Sequence, residues 1–410
     1  MNSNWLVHIL KFGGGSSMRR SFTKELLKEK RKEYKVTQNK LAIACDLSRE
    51  YLNKIESGKK VPAKSVMRKI FQQLETFNPD LPLTMLFDYV RIRFPTTNAR
   101  KIIHEVLHLN FDYMLHEDYA FYSYQEQYVM GDIVVMVSQQ EDKGVLIEMK
   151  GRGCRQFETF LLAQKRSWYD FFEDCLKVGG VMKRLDLAIN DRAGLLNIPE
   201  LTRKCQNQEC ISLFRTFKSY RSGELMKSDE KDGMGNTLYI GSLKSEVYFC
   251  LYEKDYEQYI KLGIPLDQTE TKNRFEIRLK NERAYHAIVD LLKGRSIEST
   301  TFSIITRYMR IADKVQGKRR TNWPLNEKWG RFVGRNRKEI QLTSEPKPYT
   351  IERTYNWLGR QVAPTLKMTI ELDRIRGTTF ISDMVLNAEL SERHKKILEQ
   401  QSTAIENLIV

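Results

Sequence analysis

Several features of other protein classes are missing from this sequence. Its six cysteines form no C-x-x-C pair and none has a histidine at zinc spacing, so neither a disulfide framework nor a structural zinc site is predicted. The chain also has no apolar run of the length that spans a bilayer. Reduced thiols and the missing span predict a cytoplasmic protein without membrane insertion.

The motifs of nucleotide-driven motors and serine hydrolases are missing as well. The chain contains neither G-x-x-x-x-G-K-[ST] nor Gly-x-Ser-x-Gly. Its six histidines include no His-x-His pair. His104 and His108 would share a helix face, but no third metal ligand accompanies them. These absences argue against an ATPase, a serine hydrolase and a histidine-based metal site.

Positive charge is what the sequence has in excess. It contains 68 Lys and Arg against 52 Asp and Glu, which gives a formal net charge of +16. An excess of this size favours a polyanionic partner, most simply nucleic acid. The alternative is a basic surface that serves solubility.

The N-terminal part of the chain divides into a leader and a helical module. Residues 1–20 are predicted to be a flexible leader, and residues 21–78 have the pattern of a compact all-α domain. Pro79 and Pro82 mark a linker after it.

Two short helices at the centre of this module carry a helix-turn-helix pattern. Thr37 and Ser48 are placed to cap them, and Gly58 to end the second. The pattern resembles the helix-turn-helix of Cro and CI phage repressors, through Gln38, Ala42, Leu47, Ile55, Glu56, Ser57 and Gly58. The resemblance implies a second helix in the DNA major groove. The predicted DNA-binding residues are Gln38, Arg49, Tyr51, Asn53 and Lys54. A helical protein-interaction or dimerisation domain is the alternative.

A strand with two chemically different faces is predicted between Gly241 and Lys254. Its apolar face, directed at a core, would carry Val247, Phe249 and Leu251. Its other face would carry Tyr248, Cys250, Tyr252 and Lys254. A phenol and an ammonium group on one sheet face of a basic protein suit phosphodiester chemistry with Tyr252 as the nucleophile.

Two further strands, Arg184–Asn190 and Arg274–Lys280, follow the same alternation. In one sheet with the first, they would bring carboxylates and cations to the face of Tyr252. Carboxylates are ligands of hard divalent ions such as Mg²⁺ or Mn²⁺. The predicted metal ligands are Asp186 and Glu276, with Asp191 and Glu148 as further candidates. Lys254 or Arg278 would stabilise the developing charge. The alternative is that this face is the solvent side of an antiparallel sheet.

Elsewhere the pattern predicts a turn at Gly151–Arg155 and one long helix from Phe157 to Val178. Near the C-terminus, the segment from Lys314 to Lys338 combines nine Lys and Arg with interleaved aromatics. Such a mixture suits a nucleic-acid groove, in which cations follow phosphates and aromatics stack on bases. Arg319 and Arg320 are its predicted DNA-binding residues. In the alternative, the tryptophans anchor a solvated loop to the body of the protein.

The central region resembles the replication initiation factor family, which comprises initiators of rolling-circle plasmids and relaxases of Gram-positive conjugative transposons. The resemblance covers about Leu86 to Ile311. It rests on Gly235–Ser245, Leu251–Asp255, Arg274–Arg278, Arg184–Asp191 and Gly151–Gly153. With a repressor-type module in front, the whole arrangement is most similar to the transposon relaxases.

The resemblance implies a nick in one DNA strand, a 5′-phosphotyrosyl bond and a divalent metal. The family tyrosine falls on Tyr252, and its acidic metal ligands fall on Asp186 and Glu276. Plasmid initiators often carry an arginine two residues before the tyrosine, where this chain has Cys250. Arg278 or Lys254 would then take the place of that arginine.

Together these observations predict an α+β protein. An antiparallel-sheet catalytic domain with two similar βαβ-like halves (84–311) would follow the all-α helix-turn-helix domain (21–78) and precede a basic loop and helical C-terminal region (312–410). We expect a metal-dependent relaxase that nicks the transfer origin of a conjugative element. Expected partners are duplex origin DNA, the nicked single strand, a host helicase, a coupling ATPase and other transfer proteins. The alternatives are a plasmid replication initiator with the same chemistry and a non-catalytic helix-turn-helix regulator.

Overall fold

The computed structural model describes residues 24–410, except 46, 76, 78–82, 141, 223–233, 267, 335–339 and 341. The predicted leader and the linker prolines Pro79 and Pro82 lie outside the described residues. The chain forms two compact units, of which the first contains the N-terminal helices and the second begins at Leu83. No helix in the described ranges is long and apolar enough to cross a bilayer.

In the N-terminal unit, the described residues form the helices α1 Lys24–Glu33, α2 Gln38–Ala44, α3 Arg49–Glu56 and α4 Lys64–Glu75. The predicted caps are confirmed. The Thr37 side chain accepts a hydrogen bond from the Lys40 amide (3.2 Å), and that of Ser48 accepts one from the Tyr51 amide (3.1 Å). Gly58 follows α3 with a φ of +76°, a left-handed conformation that glycine adopts without steric cost. Both ends of α3 are therefore determined by residues next to it in the chain.

The second unit is a large antiparallel sheet packed against helices. Its strands are β1 Leu83–Phe94, β2 Leu115–Glu117, β3 Glu126–Met130, β4 Ile133–Val137, β5 Val145–Lys150, β6 Val181–Asp191, β7 Cys210–Ser212, β8 Phe217–Arg221, β9 Asn236–Ile240, β10 Val247–Glu253, β11 Asn273–Lys280 and β12 Met309–Ile311. Its helices are α5 Ala99–Ile102, α6 Arg152–Ala163, α7 Trp168–Lys177, α8 Ile198–Gln206, α9 Lys254–Leu262, α10 Asn281–Leu292, α11 Ile297–Tyr308, α12 Glu327–Phe332, α13 Glu352–Trp357, α14 Ala363–Arg376, α15 Phe380–Leu386, α16 Glu392–Ser402 and α17 Ile405–Leu408. A π-helical turn, Ile103–Leu107, continues α5, and another, Leu358–Val362, joins α13 to α14.

The order of the ten-stranded sheet shows two similar halves. It runs β2-β3-β4-β5-β1-β6-β11-β10-β9-β8, while β7 and β12 form a separate pair. In the first half, β1 leads through α5 into the meander β2 to β5, which returns to pair with β1. In the second half, β6 leads through α8 into the meander β8 to β11, which returns to pair with β6. The predicted α+β fold with two similar halves is therefore confirmed, and β1 and β6 join the halves at the centre.

The helical face of the sheet holds the main core. On β1, the Phe87 ring lies 5.3 Å from the Trp168 ring and 5.2 Å from the Phe172 ring, between ring centroids. All three side chains are buried. Burial of such side chains contributes about 1.5–3 kcal/mol each, which holds α7 against the central strand. The opposite face of the sheet is therefore the one available for polar chemistry.

The predicted single helix from Phe157 to Val178 is wrong, because α6 ends at Ala163 and α7 begins at Trp168. The Ser167 side chain accepts from the Asp170 amide while the Asp170 carboxylate accepts from the Ser167 amide, which is a capping box that starts a new helix. Helix α6 begins at Arg152, inside the predicted turn. A Cβ on Gly153 would lie 2.3 Å from the Asp132 carbonyl oxygen, so glycine lets this helix approach the β3–β4 turn.

Candidate active site

Strand register brings the polar residues of β6, β11 and β10 together on one face. Asp186 on β6 lies opposite Arg278 on β11, which lies opposite Tyr248 on β10. Along the same face, Arg274 lies opposite Tyr252. This arrangement follows from the alternation of side chains once the three strands are neighbours.

The turn before β10 sets the direction of this strand. Gly241 has a φ of +96°, and a Cβ there would lie 2.8 Å from the Phe214 ring. The hydroxyls of Ser242 and Ser245 accept hydrogen bonds from the amides of Lys244 (3.3 Å) and Val247 (3.4 Å), and the Ser245 amide donates to the Ser242 carbonyl (2.9 Å). Glycine and serine are therefore required here for local backbone reasons.

Tyr252 lies near the end of β10 with its ring beside the acidic face. Its hydroxyl donates a hydrogen bond to Oε1 of Glu276 at 2.8 Å. Burial and the negative charge of Glu276 both raise the pKa of Tyr252 well above its ordinary value. The phenol is therefore neutral at pH 7, and a proton acceptor is already in hydrogen-bond contact with it.

Glu276 is held in place from its other side by Arg278. The guanidinium donates from Nε (3.0 Å) and Nη2 (2.7 Å) to Oε2 of the carboxylate. Glu276 is 4% exposed, so solvent contributes little to its orientation. One carboxylate oxygen therefore faces the phenol while the other is fixed by a cation.

Asp186 forms the second buried acid of this face. Arg184 donates to both of its oxygens, at 2.9 and 2.7 Å, and Nε of Arg278 lies 3.6 Å away. Burial raises the pKa of Asp186 to about 6, although Arg184 opposes the shift; the nearby charge of Glu276 adds to it. Arg278 thus lies between two buried carboxylates and links them.

Arg274 is a buried cation directly across from Tyr252. It donates from Nε to Oδ1 of Asn190 (2.8 Å) and from Nη1 to Oδ1 of Asp88 (2.9 Å). Burial disfavours its charge, but the negative charge of Asp88 together with that of Glu276 and other acidic groups nearby outweighs burial and raises the pKa of the guanidinium. Asp88 had no role in the sequence prediction. It lies in the β1 irregularity between Phe87 and Tyr89, which simple alternation does not anticipate.

The alternation predicted that Lys254 would continue the polar face of β10, and this prediction is wrong. Strand β10 ends at Glu253 and α9 starts at Lys254, so the strand period no longer applies. Its ammonium nitrogen lies 5.6 Å from the centroid of the Tyr252 ring and bonds the carboxylate of Glu257. Burial and the charge of Arg274 lower the pKa of Lys254. The lysine therefore lies close to the phenol, but the first turn of α9 positions it rather than the strand.

Two of the four predicted metal ligands lie away from this cluster. Asp191 has the strand parity of the apolar residues and is fully buried. Its Oδ2 accepts from the Leu196 amide (2.8 Å) and from Nδ2 of Asn273 (3.1 Å), which are contacts of a structural turn. Glu148 lies on β5, separated from β6 by β1. Only Asp186 and Glu276 are thus brought together.

The predicted divalent ion does not fit this arrangement. Both oxygens of Asp186 are bonded by Arg184, and the two oxygens of Glu276 are bonded by Tyr252 and Arg278. Among the residues with assigned positions, no three His, Cys, Asp or Glu side chains form a group that could hold a metal ion. A cation would have to displace guanidinium groups from these carboxylates.

In the N-terminal unit, the predicted DNA-binding residues divide into two groups. Arg49, Asn53 and Lys54 are exposed on α3, whereas Tyr51 packs partly against the core. Gln38 donates from Nε2 to Oε2 of the buried Glu56 at 2.9 Å.

Glu56 anchors α3 to the rest of its unit. Arg31 bonds both of its oxygens, at 2.6 and 2.9 Å. Burial opposes ionisation of Glu56, but the hydrogen bonds from Arg31 and Gln38 outweigh it and lower the pKa of this carboxylate. These contacts therefore fix the orientation of α3, and of its exposed face, relative to the other helices of the unit.

The basic segment near the C-terminus uses its aromatics for packing. Trp329 is 2% exposed and Phe332 is fully buried, 5.6 Å from the ring of Phe275. The expectation that these rings stack on bases is wrong, because they complete the core. Arg320 donates to the backbone carbonyl oxygens of Gln208 (2.7 Å) and Cys210 (2.6 Å). The anchored-loop alternative therefore describes the aromatics of this segment.

Three family models match the chain. The model described as "Replication initiation factor" matches residues 180–385, "Rolling Circle replication initiation protein N-terminal domain" matches 84–174, and "Helix-turn-helix" matches 27–76. The protein named "Putative DNA relaxase NicK" from Bacillus subtilis (strain 168) is 43% identical over 330 residues, which are 80% of this chain and 93% of that protein.

The fold also has a counterpart among solved structures. The rolling-circle replication initiator protein from Geobacillus stearothermophilus is similar with a TM-score of 0.55 and 22% identity, over 64% of this chain and 99% of that one. At this level of identity the likeness concerns the fold. Taken with the matched family model and the 43% identical relative, it leads to one conclusion: the chain belongs to the replication initiation factor family, with a helix-turn-helix segment in front.

Proposed function

We propose that this chain is a site-specific DNA strand transferase that nicks one strand at the transfer origin of a conjugative element. The observation that carries the proposal is the hydrogen bond from the Tyr252 hydroxyl to the buried Glu276, on a face that also holds Arg274 and Arg278. The 43% identical relative named as a relaxase supports the same reaction class.

In the proposed reaction, Tyr252 attacks a phosphodiester of one strand. A bond forms between the phenolic oxygen and phosphorus, while the bond between phosphorus and the 3′-oxygen breaks. The phenolic proton passes to Glu276, and the departing 3′-oxygen takes a proton from solvent. Because the phenol is neutral at pH 7, transfer to a positioned base has to accompany the attack. The product is a 5′-phosphotyrosyl ester and a free 3′-hydroxyl.

Positive charge beside the phenol suits this step. Arg274 lies directly across from Tyr252, and Arg278 fixes the carboxylate that accepts the proton. Guanidinium groups are always protonated and match phosphate oxygens with paired donors. Because a buried network already holds these guanidinium groups in place, they stabilise the negative charge of the transition state without a large rearrangement of the site. Lys254, whose ring contact places it near the phenol, adds a further cation.

The divalent ion, Mg²⁺ or Mn²⁺, stays part of the proposal through the family resemblance alone. The carboxylates of Asp186 and Glu276 are bonded by arginines and by Tyr252, so no step of the reaction is derived through a metal. Nicking by chelator-treated protein, with and without added Mg²⁺ or Mn²⁺, measures the requirement.

The N-terminal module is proposed to bind duplex DNA beside the nick. Arg49, Asn53 and Lys54 line the exposed side of α3, where a recognition helix presents its contacts. The protein is proposed to act in the cytoplasm. A host helicase would separate the strands, and a coupling ATPase and other transfer proteins would export the cut strand. The proposed domains are a leader (1–20), the helix-turn-helix domain (21–78), the catalytic domain (84–311) and the basic loop with the helical C-terminal region (312–410).

Initiation of plasmid replication is the second candidate, because it uses the same chemistry. The description of the matched family and the fold shared with the Geobacillus initiator favour it. We favour transfer because a relative that is 43% identical over 80% of this chain is named as a relaxase.

The decisive experiment incubates the full-length protein with supercoiled DNA that carries the element's own origin. We expect a covalent protein–DNA adduct whose DNA-linked peptide, identified by mass spectrometry, contains Tyr252. An adduct on Tyr248 or another tyrosine would assign the nucleophile elsewhere. The absence of any adduct, together with intact duplex binding, would instead favour the non-catalytic regulator.

A further inference from the structure

A pair of exposed aromatic rings lies on the loop between β2 and β3. Phe121 is 61% exposed and Tyr122 is 49% exposed. Their ring centroids are 6.5 Å apart. Adjacent exposed rings are more informative than single exposed apolar residues, because they leave a continuous surface available to a ligand.

The loop is held in place although its rings are exposed. The Tyr122 hydroxyl donates to Oε1 of the buried Glu148 at 3.0 Å. Tyr122 and Ser123 have φ values of +58° and +60°, which are uncommon for residues other than glycine. The Tyr124 hydroxyl donates to the carbonyl oxygen of Lys143 at 3.2 Å. Backbone strain at two adjacent residues persists only where the surroundings impose it, and such strain clusters at binding and catalytic sites.

Cations accompany these rings. The Arg91 guanidinium carbon lies 4.8 Å from the centroid of the Tyr122 ring, and Lys150 Nζ lies 6.0 Å from that of Phe121. The Nε of Arg91 is buried and makes no hydrogen bond within the described part of the chain. We call these four residues, Arg91, Phe121, Tyr122 and Lys150, the aromatic platform. It combines the two chemical groups that bind a single strand: rings for bases and cations for phosphates.

The aromatic platform shares a sheet face with Tyr252. The strands β10, β11, β6, β1 and β5 are consecutive neighbours, so Tyr252 and Glu148 are separated by four strand spacings, about 19 Å, across the sheet. Along the strands they are offset by about 20 Å, because Tyr252 is in register with Asn190 of β6 and Glu148 with Arg184. The interval is lined by Arg278, Asp186 and Arg184. Arg184 in turn lies 4.0 Å from the centroid of the Tyr89 ring, next to Glu148. Polar and cationic side chains therefore follow this face of the sheet from the phenol towards the platform, with Arg184 and Arg278 partly exposed and Asp186 buried between them.

We propose that the aromatic platform is a second binding site for the single strand, in which bases a few nucleotides from the bond cut by Tyr252 stack on Phe121 and Tyr122. The site rests on the proposed nicking function for its substrate, but not on Tyr252 for its binding. Stacking on an exposed aromatic contributes about tenfold to the affinity of a base. The platform would fix the path of the strand across the sheet rather than take part in bond cleavage.

The first test measures binding of single-stranded oligonucleotides of increasing length to the full-length Tyr252→Phe protein, in which no adduct forms. We expect a step in affinity once an oligonucleotide is long enough to reach the platform. In this protein, the further substitution Phe121→Ala should weaken the binding of long oligonucleotides about tenfold and leave the binding of short ones unchanged. Tyr285→Ala is the matched control, since this ring is 44% exposed on α10, in the helical layer.

The second test is photocrosslinking with 5-iodouracil placed at one position at a time. We expect crosslinks to a peptide that contains Phe121 or Tyr122, at positions a few nucleotides from the nick. A length step that survives Phe121→Ala, or crosslinks confined to other peptides, would overturn the inference.

The two proposals fail in different ways. If the affinity step and the crosslinks appear while the nucleophile proves to be another residue, the platform stands and the chemistry assigned to Tyr252 falls. If Tyr252 forms the adduct but the step and the crosslinks are absent, the platform falls and the nicking function stands.

Discussion

The two halves of the sheet place a glutamate at the same topological position and surround it differently. Glu148 on β5 and Glu276 on β11 both lie on the strand that returns to the centre of the sheet, and both are buried. Each accepts hydrogen bonds from phenols: Glu148 from Tyr89 and Tyr122, and Glu276 from Tyr252. The scaffold thus offers the same acid–phenol contact twice.

The difference lies in the neighbouring strand, because both glutamates are paired with cations: Glu148 with Lys150 and Glu276 with Arg278. Opposite Glu276, β10 carries Cys250 and, two residues later, Tyr252, whereas opposite Glu148, β4 carries Val134 and then Met136. The second half therefore supplies its phenol from a strand, where the backbone fixes it. The first half supplies the buried Tyr89 from β1 and Tyr122 from a loop, and leaves the Tyr122 ring exposed. We infer that one fold yields a reactive phenol in one half and a binding surface in the other.

The largest expected effect separates the two phenols. Tyr252→Phe should reduce nicking of supercoiled origin DNA by about 10⁴-fold or more, because the proposed nucleophile is lost. Tyr122→Phe keeps the exposed ring and should leave the single-turnover rate within about threefold, because its hydroxyl only holds a loop. Agarose-gel assays of open-circular product measure both. Equal losses in the two variants would contradict the assigned difference.

The two glutamates give the next contrast. Glu276→Gln keeps a hydrogen-bond acceptor but removes the base, so nicking should fall by about 10²- to 10⁴-fold. Glu148→Gln also keeps an acceptor for Tyr89 and Tyr122, and nicking should be nearly unchanged. Single-turnover rates at several pH values distinguish loss of a base from loss of structure. If Glu148→Gln proves as damaging as Glu276→Gln, the halves share the chemistry.

Asp186, on the central strand that joins the halves, should make stability depend on pH. Its pKa is raised to about 6 in the folded protein, from about 3.9 in an unfolded chain. The folded state therefore holds more protons between about pH 4 and 6, and the contribution of Asp186 to the free energy of unfolding falls as pH rises through that window. Two pKa units correspond to about 3 kcal/mol. Relative to wild type, Asp186→Asn should gain that amount across the same window, measured by urea unfolding. Parallel pH profiles would contradict this account.

The smallest effect concerns the turns that start β10 and β4. Gly241 and Gly131 both have positive φ, at +96° and +61°. Each lies in the turn before the strand that pairs with the returning strand of its half, which is β10 beside β11 and β4 beside β5. Alanine at either position should cost about 1–2 kcal/mol in left-handed strain, with steric contacts in addition. Only Gly241→Ala should also slow nicking, by about tenfold, because its turn directs the strand of Tyr252. Equal nicking by the two variants, at a temperature where both are folded, would contradict that link.

Local patterns were enough to predict much of this molecule. Alternation identified the polar face that carries Tyr252, Asp186 and Glu276, since burial of one strand face imposes a period of two. The caps at Thr37 and Ser48 were also predictable, because a hydroxyl satisfies an amide only a few residues away. These features depend on neighbours in sequence.

Features that depend on partners distant in sequence were not predictable in the same way. Asp88 reaches Arg274 through an irregularity in the pairing of β1, and nothing local reveals it. The exposed platform needs β5, β1 and β6 to be neighbours, which is a matter of topology. The aromatics at Trp329 and Phe332 could equally have been surface or core until α12 was placed on the sheet.

The hydrogen bond between Tyr252 and Glu276 also has a consequence for the fate of the cut strand. In the proposed reaction, the carboxylate keeps the phenolic proton while the DNA end is covalently held. When a 3′-hydroxyl attacks the ester, it gives its proton to solvent, and the departing phenolate recovers the stored proton from the same neighbour. Sealing is then the mirror image of cleavage, and the protein would serve as a reversible cap on a DNA end rather than as a nuclease.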